Sequence, residues 1–320
     1  MKVFVAGASG ALGRQLVPEL VADGHQVVAM TRTASKQDGL RALGARPVVA
    51  DALDPEAVAR VVGEAEPEVI VHQLTALSEP TSASDMRHPE RSFAVTMTNR
   101  LRTEATNHLL AAGRAVGARR FVAQSYAGWR FARTGGPVQT EADPLDPNPP
   151  AALRPGLASI LHLERAVTTI KWGEGLALRY GSFYGPGTHI SLASDAQMAT
   201  PIRKRRFPIV GDGGGVWSHV HIEDAAAATA AAVDHGQPGV YNIVDDDPAP
   251  VREWLPVLAS ALDAKPPRRV PRWLARLAAG EAATVMMTDV RGASNAKAKR
   301  ELGWQPRYPS WRLGFVKGLG

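Results

Sequence analysis

The sequence contains no cysteine. Disulfides, thiolate nucleophiles and thiolate metal sites are therefore excluded, and we predict no metal site. The absence of cysteine is compatible with a reducing cytoplasm, which is where we expect the protein. No apolar run approaches the about 20 residues of a membrane-spanning helix. The chain opens directly on MKVFVAG, so we expect no signal peptide and no membrane partner.

A strong charge bias is also absent, since the net charge is only +6 over 320 residues. The densest basic run is Arg203–Arg206, and no aromatic residues interleave with it as they do on nucleic-acid-binding surfaces. We interpret the run as a solvated surface, with contact to an anionic substrate as the alternative. No nucleic-acid partner is predicted.

The first half of the chain alternates short apolar runs with segments of helical periodicity. This alternation requires right-handed crossovers and predicts an α/β fold with a Rossmann-type doubly wound parallel sheet. A long helix is predicted over Val95–Gly117. Strands are predicted at 3–6, 26–30, 47–50, 68–74, 120–124 and 176–180.

Proline and glycine mark the remaining boundaries. Six prolines crowd into residues 133–155, which predicts a long ordered loop bordering the site. The regular alternation fades after residue 180. We therefore predict a dinucleotide-binding Rossmann domain over 1–180 and a smaller substrate-side domain over 181–320, with the chain free to cross between the two.

A glycine-rich segment follows the first predicted strand and opens the first helix. Gly7 permits a tight turn, Gly10 lets the backbone approach a pyrophosphate, and Gly13 lets helix and strand pack closely. The phosphates would meet unpaired N–H groups at the helix N-terminus. Its place between strand and helix predicts dinucleotide binding rather than a merely structural turn.

The end of the second strand predicts which dinucleotide binds. An acidic residue there would hold the ribose hydroxyls of NAD, but the sequence reads Met30-Thr31-Arg32-Thr33, followed by Lys36. Arg32 can form paired charge-assisted bonds to a 2′-phosphate, which favours NADP(H); an ordinary exposed arginine is the alternative. Asp51 after the third strand could accept from the adenine amino group or cap the next helix.

These residues carry a resemblance that spans nearly the whole chain. The sequence resembles the extended or atypical short-chain dehydrogenase/reductases of the NAD-dependent epimerase/dehydratase group. Asn99 matches the asparagine of the family's fourth helix. The other matching segments are Gly7–Gly13, Val71–Ala76, Phe121–Ser125, Leu178–Gly187, Phe207–Gly213, Trp217–Asp224, Tyr241–Val244 and Glu301–Pro306.

The resemblance implies a cofactor site at the ends of the strands. Dimerisation is common in the family, so a homodimer is compatible with it. The implied cofactor residues are Gly7, Ser9, Gly10, Ala11, Leu12, Gly13, Thr31, Arg32, Asp51, Ala52, Leu53, Gln73, Leu74, Thr75, Asn99, Gln124, Tyr180, Gly181 and Phe183.

One family feature is missing. The family carries a tyrosine and, four residues later, a lysine on its fifth helix, and the lysine and cofactor ribose lower the tyrosine pKa for proton exchange. Alignment through Glu164 places Gly156 and Ile160 at these positions. No tyrosine lies between Tyr126 and Tyr180, so a shifted alignment does not restore the pair.

Ser125 and Tyr126 are the predicted catalytic substitutes. Both lie at the C-terminal edge of the fifth strand, where ligands bind in open α/β sheets, although Tyr126 could instead pack against substrate. His162 on the altered helix is a weaker candidate, with a surface histidine as its alternative. His219 and His221 would share one side of a strand, without an evident third metal ligand.

The combined pattern predicts an NADP(H)-dependent reductase of a small organic substrate that uses a non-standard proton donor. Two alternatives stay open because the dyad is lost. One is a non-redox isomerase or cyclase on the same fold, and the other is a regulatory protein that senses NADP(H) without turnover.

Overall fold

The computed structural model describes residues 1–77 and 88–320. The strands are β1 (Lys2–Ala6), β2 (Gln26–Thr31), β3 (Arg46–Val49), β4 (Val69–His72), β5 (Arg120–Tyr126), β6 (Val138–Gln139), β7 (Glu174–Tyr180), β8 (Ser182–Tyr184), β9 (Ile209–Val210), β10 (Val216–Trp217), β11 (His219–His221), β12 (Gly239–Ile243), β13 (Ala249–Pro250), β14 (Arg269–Val270) and β15 (Gly292–Ala293). The helices are α1 (Ala11–Ala22), α2 (Gln37–Ala42), α3 (Pro55–Ala65), α4 (Phe93–Arg100), α5 (Thr106–Ala115), α6 (Arg154–Thr168), α7 (Ala199–Arg203), α8 (Ile222–Asp234), α9 (Val251–Ala261), α10 (Arg272–Thr288), α11 (Ala296–Leu302) and α12 (Trp311–Lys317).

The main sheet has seven parallel strands in the order β12-β7-β5-β4-β1-β2-β3. The order reverses between β1 and β4, which is the switch point where ligands bind in doubly wound folds. All six strands predicted from the sequence are present. The predicted fold class is therefore confirmed.

The seventh strand, β12, comes from beyond residue 180 and pairs in parallel with β7. It is preceded by α8, which packs against α1 on the face of the sheet. Small alanine side chains on α8 permit this close approach, and most are buried. The chain thus returns to the Rossmann sheet after its first excursion into the second half.

The predicted long helix is present, but it is not uniform. A π-helical segment, Leu101–Ala105, joins α4 to α5. Such segments widen a helix locally and occur frequently at functional sites. Here the widened turn begins two residues after Asn99.

Apolar cores lie on both faces of the sheet. One face packs α1 and α8 through residues such as Leu16 and Ala228. The other packs α3, α5 and α6 through residues such as Val58 and Leu109. A third, aromatic core under α9 and α12 holds Trp254 and supports the second half of the chain.

The proline-rich segment is ordered, as expected, but it contains a strand that the sequence did not predict. Its β6 pairs in parallel with β15 near the end of the chain. The pairing ties the loop after β5 to the second half of the chain. Among the described residues, no helix is both long and apolar enough to cross a bilayer.

Candidate active site

The glycine turn after β1 has the close contacts that its sequence predicts. Gly7 has φ 92°, and a Cβ there would lie 2.8 Å from the backbone of Gln73. A Cβ on Gly13 would lie 2.5 Å from the carbonyl oxygens of Gly7 and Ala8. Gly10 has φ −75°, which any residue can adopt, so its lack of a side chain keeps the space in front of α1 open.

The N-terminus of α1 is suited to an anion. Among the described residues, no side chain caps this helix, and its first turn contains no acidic residue. Its first amides and the helix dipole are therefore available to a pyrophosphate. The Arg14 side chain is exposed, and its guanidinium lies against Gly187. A Cβ added to Gly187 would be 2.7 Å from Arg14 Nη2. Arg14 was not predicted as a site residue, although it is the basic residue nearest the glycine turn along the chain.

The ends of β2 and β3 form the next part of the site. The hydroxyls of Ser9 and Thr31 lie 3.2 Å apart, while Arg32 is exposed. Asp51 Oδ1 accepts from the backbone N–H of Leu53 at 3.0 Å. Asp54 caps α3 instead, so the alternative that Asp51 is the helix cap is wrong.

Tyr180, at the end of β7, does not lie where a cofactor-binding residue is expected. The Tyr180 side chain is buried in the core, where its hydroxyl bonds Thr229 at 2.7 Å and accepts from Gln73 Nε2 at 3.2 Å. Its predicted direct contact with cofactor does not fit this position, because the ring packs beneath Phe183 with centroids 5.3 Å apart. Any influence of Tyr180 on a ligand would pass through Gln73.

The predicted cofactor residues gather at the C-terminal edge of the sheet. Gly181 is held against the carbonyl of Ser218, and Gln124 is half-buried at the end of β5. The remaining members follow β1, β3 and β4 along the chain, namely Ala11, Leu12, Ala52, Leu74 and Thr75.

Ser125 belongs to a buried charged cluster. Its hydroxyl donates to Glu164 Oε1 at 2.6 Å, and the residue is 1% exposed. Arg130 and Arg179 each donate two hydrogen bonds to the same carboxylate. This corrects the predicted role of Ser125, because its hydroxyl fixes Glu164 and is not presented to a substrate.

The cluster carries more positive than negative charge. Burial alone would raise the pKa of Glu164, but hydrogen bonds from Arg179 and Arg130 and their charges outweigh it and lower the pKa to about 2. Arg102 lies nearby, and burial lowers its pKa to about 10. Two arginines thus bind one carboxylate beneath the end of β5, and the charge of a third, Arg102, interacts with it without a direct contact.

The positions of the missing dyad are filled by packing. A Cβ on Gly156 would lie 3.4 Å from the indole of Trp129, so the tryptophan packs directly against this position. Ile160 is fully buried. Ser159 donates to Asn99 Oδ1 at 2.9 Å, which engages the predicted asparagine with this helix.

A cleft opens beside Trp129, between the end of β5 and the second half of the chain. Its walls include Tyr126, Trp129, Trp217, Met286 and Arg291. Burial raises the pKa of Tyr126, and a hydrogen bond to Ser182 and the charge of Arg102 offset this only in part. Tyr126 therefore stays neutral at physiological pH, where its hydroxyl can donate a hydrogen bond.

Comparison with known proteins places this architecture in a family. The model of the NAD dependent epimerase/dehydratase family matches residues 3–244. The chain belongs to this family. It is 44% identical over 320 residues to a 3-diazoavenalumate denitrifying reductase of a Streptomyces species, covering 98% of this chain and 99% of the relative.

Solved structures of the epimerase/dehydratase family have the same fold. A UDP-glucose 4-epimerase of Thermus thermophilus in complex with NAD matches with a TM-score of 0.74 at 23% identity, covering 100% of this chain and 98% of that one. The human epimerase family protein SDR39U1 with NADPH matches with a TM-score of 0.74 at 18% identity, covering 100% of this chain and 99% of that one. The matched family is described as NAD dependent, so a nicotinamide dinucleotide is the cofactor class of the family.

In this epimerase/dehydratase family member, the candidate histidines lie apart from the cleft. His162 is exposed and bonds Asn107 at 3.0 Å, so it is a surface residue rather than a catalytic acid. His219 is buried against Trp254 and Phe315. Among residues 1–77 and 88–320, no cluster of three or more histidine, aspartate or glutamate side chains could hold a metal ion.

Proposed function

We propose that this protein is an NADPH-dependent reductase that transfers hydride to a small aromatic substrate without a lysine-activated tyrosine. One observation carries the proposal. The glycine turn after β1 has the tight backbone contacts expected of a dinucleotide site, whereas Gly156, packed against Trp129, and the buried Ile160 stand at the two dyad positions. A chain that keeps the glycine turn but lacks the tyrosine and the lysine is suited to hydride transfer in which no tyrosine must exchange a proton.

The residues present fit a phosphorylated dinucleotide. Gly10 and the uncapped start of α1 would hold the pyrophosphate, and Arg32 and Lys36 would meet the 2′-phosphate. Asp51 would accept from the adenine. When bound, the cofactor would supply a hydride at the end of β5, beside the cleft.

The reaction that best fits these residues is reductive removal of dinitrogen. This activity is named for the relative that is 44% identical over nearly its whole length. In such a reaction a C–H bond forms with the incoming hydride, and the C–N bond breaks with its electron pair leaving on dinitrogen. A cationic diazonium group and a hydride balance in charge, so no side chain has to supply a proton.

Tyr126 supports a second reaction on the same site. A carbonyl acceptor takes up a proton as it is reduced, and the neutral Tyr126 hydroxyl is the donor that the cleft offers. The two reactions differ in their need for this hydroxyl. Removing it should slow carbonyl reduction by about 100-fold and leave dinitrogen removal within a few-fold.

The test is to follow NADPH oxidation and dinitrogen release by wild type and Tyr126→Phe. Each protein receives an arenediazonium carboxylate and, separately, a panel of aryl ketones, aldehydes and enones, with the reaction lacking protein as baseline. We expect diazo reduction by both proteins. Turnover of carbonyls alone would establish the second reaction, and NADPH binding without any turnover would refute a reductase.

A further inference from the structure

Two stretches in the second half of the chain, residues 199–210 and 264–280, are strongly basic. Together they hold nine of the 37 basic residues and none of the 31 acidic ones, so the rest of the chain has a net charge of −3, against +6 for the whole. The first stretch contains the run Arg203–Arg206, which the proposed function does not use. Such a segregation of charge indicates a surface that meets an anionic partner.

The fold joins the two stretches into one surface, which we call the basic surface. β9 and β14 pair in parallel, with Ile209 opposite Arg269. The N–H of Ile209 donates to Arg268 O at 2.8 Å, and Arg205 Nε donates to Pro266 O at 3.1 Å. Of the nine basic residues, all except the half-buried Arg205 are exposed. A partner can therefore reach the cations of both stretches together.

Carboxylates neutralise only a small part of the basic surface. Asp289 accepts two hydrogen bonds from Arg272, and Glu281 lies 3.7 Å from Arg276. The other seven basic residues form no ion pair within residues 1–77 and 88–320. The charge of the surface is therefore left for a partner to neutralise.

Exposed apolar side chains adjoin these cations. Residues 272–279 form the first part of α10, which is interrupted at Gly280, where φ is 86°. Within this part only Ala275 is buried, whereas Trp273 and Leu274 are 66% and 43% exposed. A short helix that is wetted on most of its circumference thus holds an indole and a leucine side chain in water.

Cations beside an exposed tryptophan and leucine favour a lipid surface as the partner. Arginine and lysine are attracted to the anionic headgroups of a leaflet. Tryptophan and leucine on a surface helix enter the boundary between headgroups and acyl chains. A nucleic acid would pair with the cations but would leave Leu274 in water, so it accounts for only half of the surface.

We propose that the basic surface and the first part of α10 dock this protein on an anionic lipid bilayer, with Trp273 and Leu274 inserted among the headgroups. This revises the expectation of no membrane partner, because a peripheral contact needs no apolar run that spans the bilayer. The same helix extends to the cleft, which Met286 lines. The docking does not depend on the proposed reductase function and is measured without turnover.

The experiment measures co-sedimentation of the full chain with vesicles of phosphatidylcholine, either alone or with about 30% phosphatidylglycerol. Wild type should bind the anionic vesicles at least tenfold tighter, and salt at about 0.5 M should remove most of the difference. Arg268→Gln with Arg269→Gln should weaken anionic binding at least tenfold, because two headgroup contacts are lost. Trp273→Ser with Leu274→Ser should weaken it by about tenfold, because the inserted side chains are lost.

Matched double variants on other surfaces control for changes in charge and exposed apolar area. Arg60→Gln with Arg114→Gln removes two exposed arginines, and Phe93→Ser with Val316→Ser removes two apolar side chains that are 59% and 69% exposed. Both controls should bind like wild type. The melting temperature of every variant is measured to show that it is folded.

Tryptophan emission provides a second measurement on the same samples. The emission of Trp273, taken as the difference between wild type and Trp273→Phe, should move to shorter wavelength with anionic vesicles alone. Equal binding to both kinds of vesicle, no binding to either, or equal losses in the control variants would each overturn the proposal.

Poly-glutamate and duplex DNA test soluble polyanions as the partner. Both should bind more weakly than the anionic vesicles and should not respond to Trp273→Ser with Leu274→Ser. If either polyanion binds as tightly as the vesicles, and the apolar variant binds vesicles like wild type, the surface serves a soluble polyanion and the lipid assignment is wrong.

Discussion

At the scale of single residues, Arg32 decides cofactor choice in this account. It is exposed after β2, where a carboxylate would favour NAD. NADPH should bind at least tenfold tighter than NADH, which is about 1.4 kcal/mol. Arg32→Ala should remove most of this preference by weakening NADPH alone.

Binding titrations of both cofactors to wild type, Arg32→Ala and the exposed control Arg60→Ala check this prediction. The control should behave like wild type. Equal affinities of wild type for the two cofactors would contradict the NADP(H) assignment.

Glu164 is the residue on which the buried arginines depend. Replacing it with glutamine removes the charge that pairs Arg130 and Arg179, and breaking a buried pair in this way costs about 3 kcal/mol or more. We expect Glu164→Gln to lower the free energy of unfolding by about that amount. Glu104→Gln, in an exposed pair with Arg100, should change little.

The same residue gives a pH dependence with a defined sign. The folded-state pKa of Glu164 is lowered to about 2, below the about 4.3 of an unfolded glutamate. Its stabilisation is therefore present above pH 4.3 and is lost as the pH falls toward 2. Denaturant titrations from pH 5 to pH 2.5 should show a steeper loss for wild type than for Glu164→Gln. Parallel curves would contradict the assignment.

At the scale of elements, the turn between β1 and α1 contains one glycine that matters for cofactor binding and another that matters for folding. Gly10 has an ordinary φ and a Cβ there would be 3.2 Å from the nearest backbone oxygen, whereas a Cβ on Gly13 would be 2.5 Å from two carbonyls. Gly10→Val should therefore fold but lose NADPH binding, because its side chain enters pyrophosphate space. Gly13→Ala should lower the melting temperature by several degrees, because backbone must move.

Thermal unfolding with and without NADPH measures both effects at once, because a ligand that binds only the folded state raises the melting temperature. Gly24→Ala is a useful control, since a Cβ there meets nothing within 4 Å although its φ of 81° adds strain. A Gly10→Val protein that is still stabilised by NADPH would remove this turn from the cofactor site.

Local patterns made the elements of the first half predictable, and distance along the chain explains what was missed. β1 to β5 and β7 are short apolar runs between helices, so periodicity alone places them. β12 joins the sheet only after a long excursion, and nothing in Gly239–Ile243 states which sheet it enters. The strand β6 has two residues and exists because β15 lies beside it, 154 positions later.

The candidate site was predictable in its cofactor half and less so in its substrate half. Glycines and the residues after each strand carry local signals. The contact of Ser125 with Glu164 joins residues 39 positions apart, and that of Arg130 with Glu164 joins residues 34 apart. Arg291 shares the cleft with Trp129 only because β6 and β15 bring their segments together. Such pairings are set by tertiary packing, so a single sequence does not reveal them.

At the scale of the whole molecule, the pocket has been rebuilt around the loss of the dyad. A tyrosine at Gly156 would meet Trp129, and a lysine at Ile160 would place a charge in a fully buried position close to the arginine cluster. Gly156→Tyr with Ile160→Lys should therefore lower both stability and native turnover rather than improve the reaction. Steady-state rates and melting temperatures of the double variant check this, and a faster enzyme would contradict it.

The central claim is direct transfer of hydride to the substrate without a proton from the protein, and isotope labelling tests it most directly. The protein is given an arenediazonium carboxylate with [4-²H]NADPH in H₂O and, separately, with unlabelled NADPH in D₂O, using both cofactor stereoisomers. The account predicts deuterium on the carbon that lost dinitrogen only when the label is on one face of the cofactor. Deuterium that comes from D₂O, or label from neither source above the protein-free baseline, would contradict it.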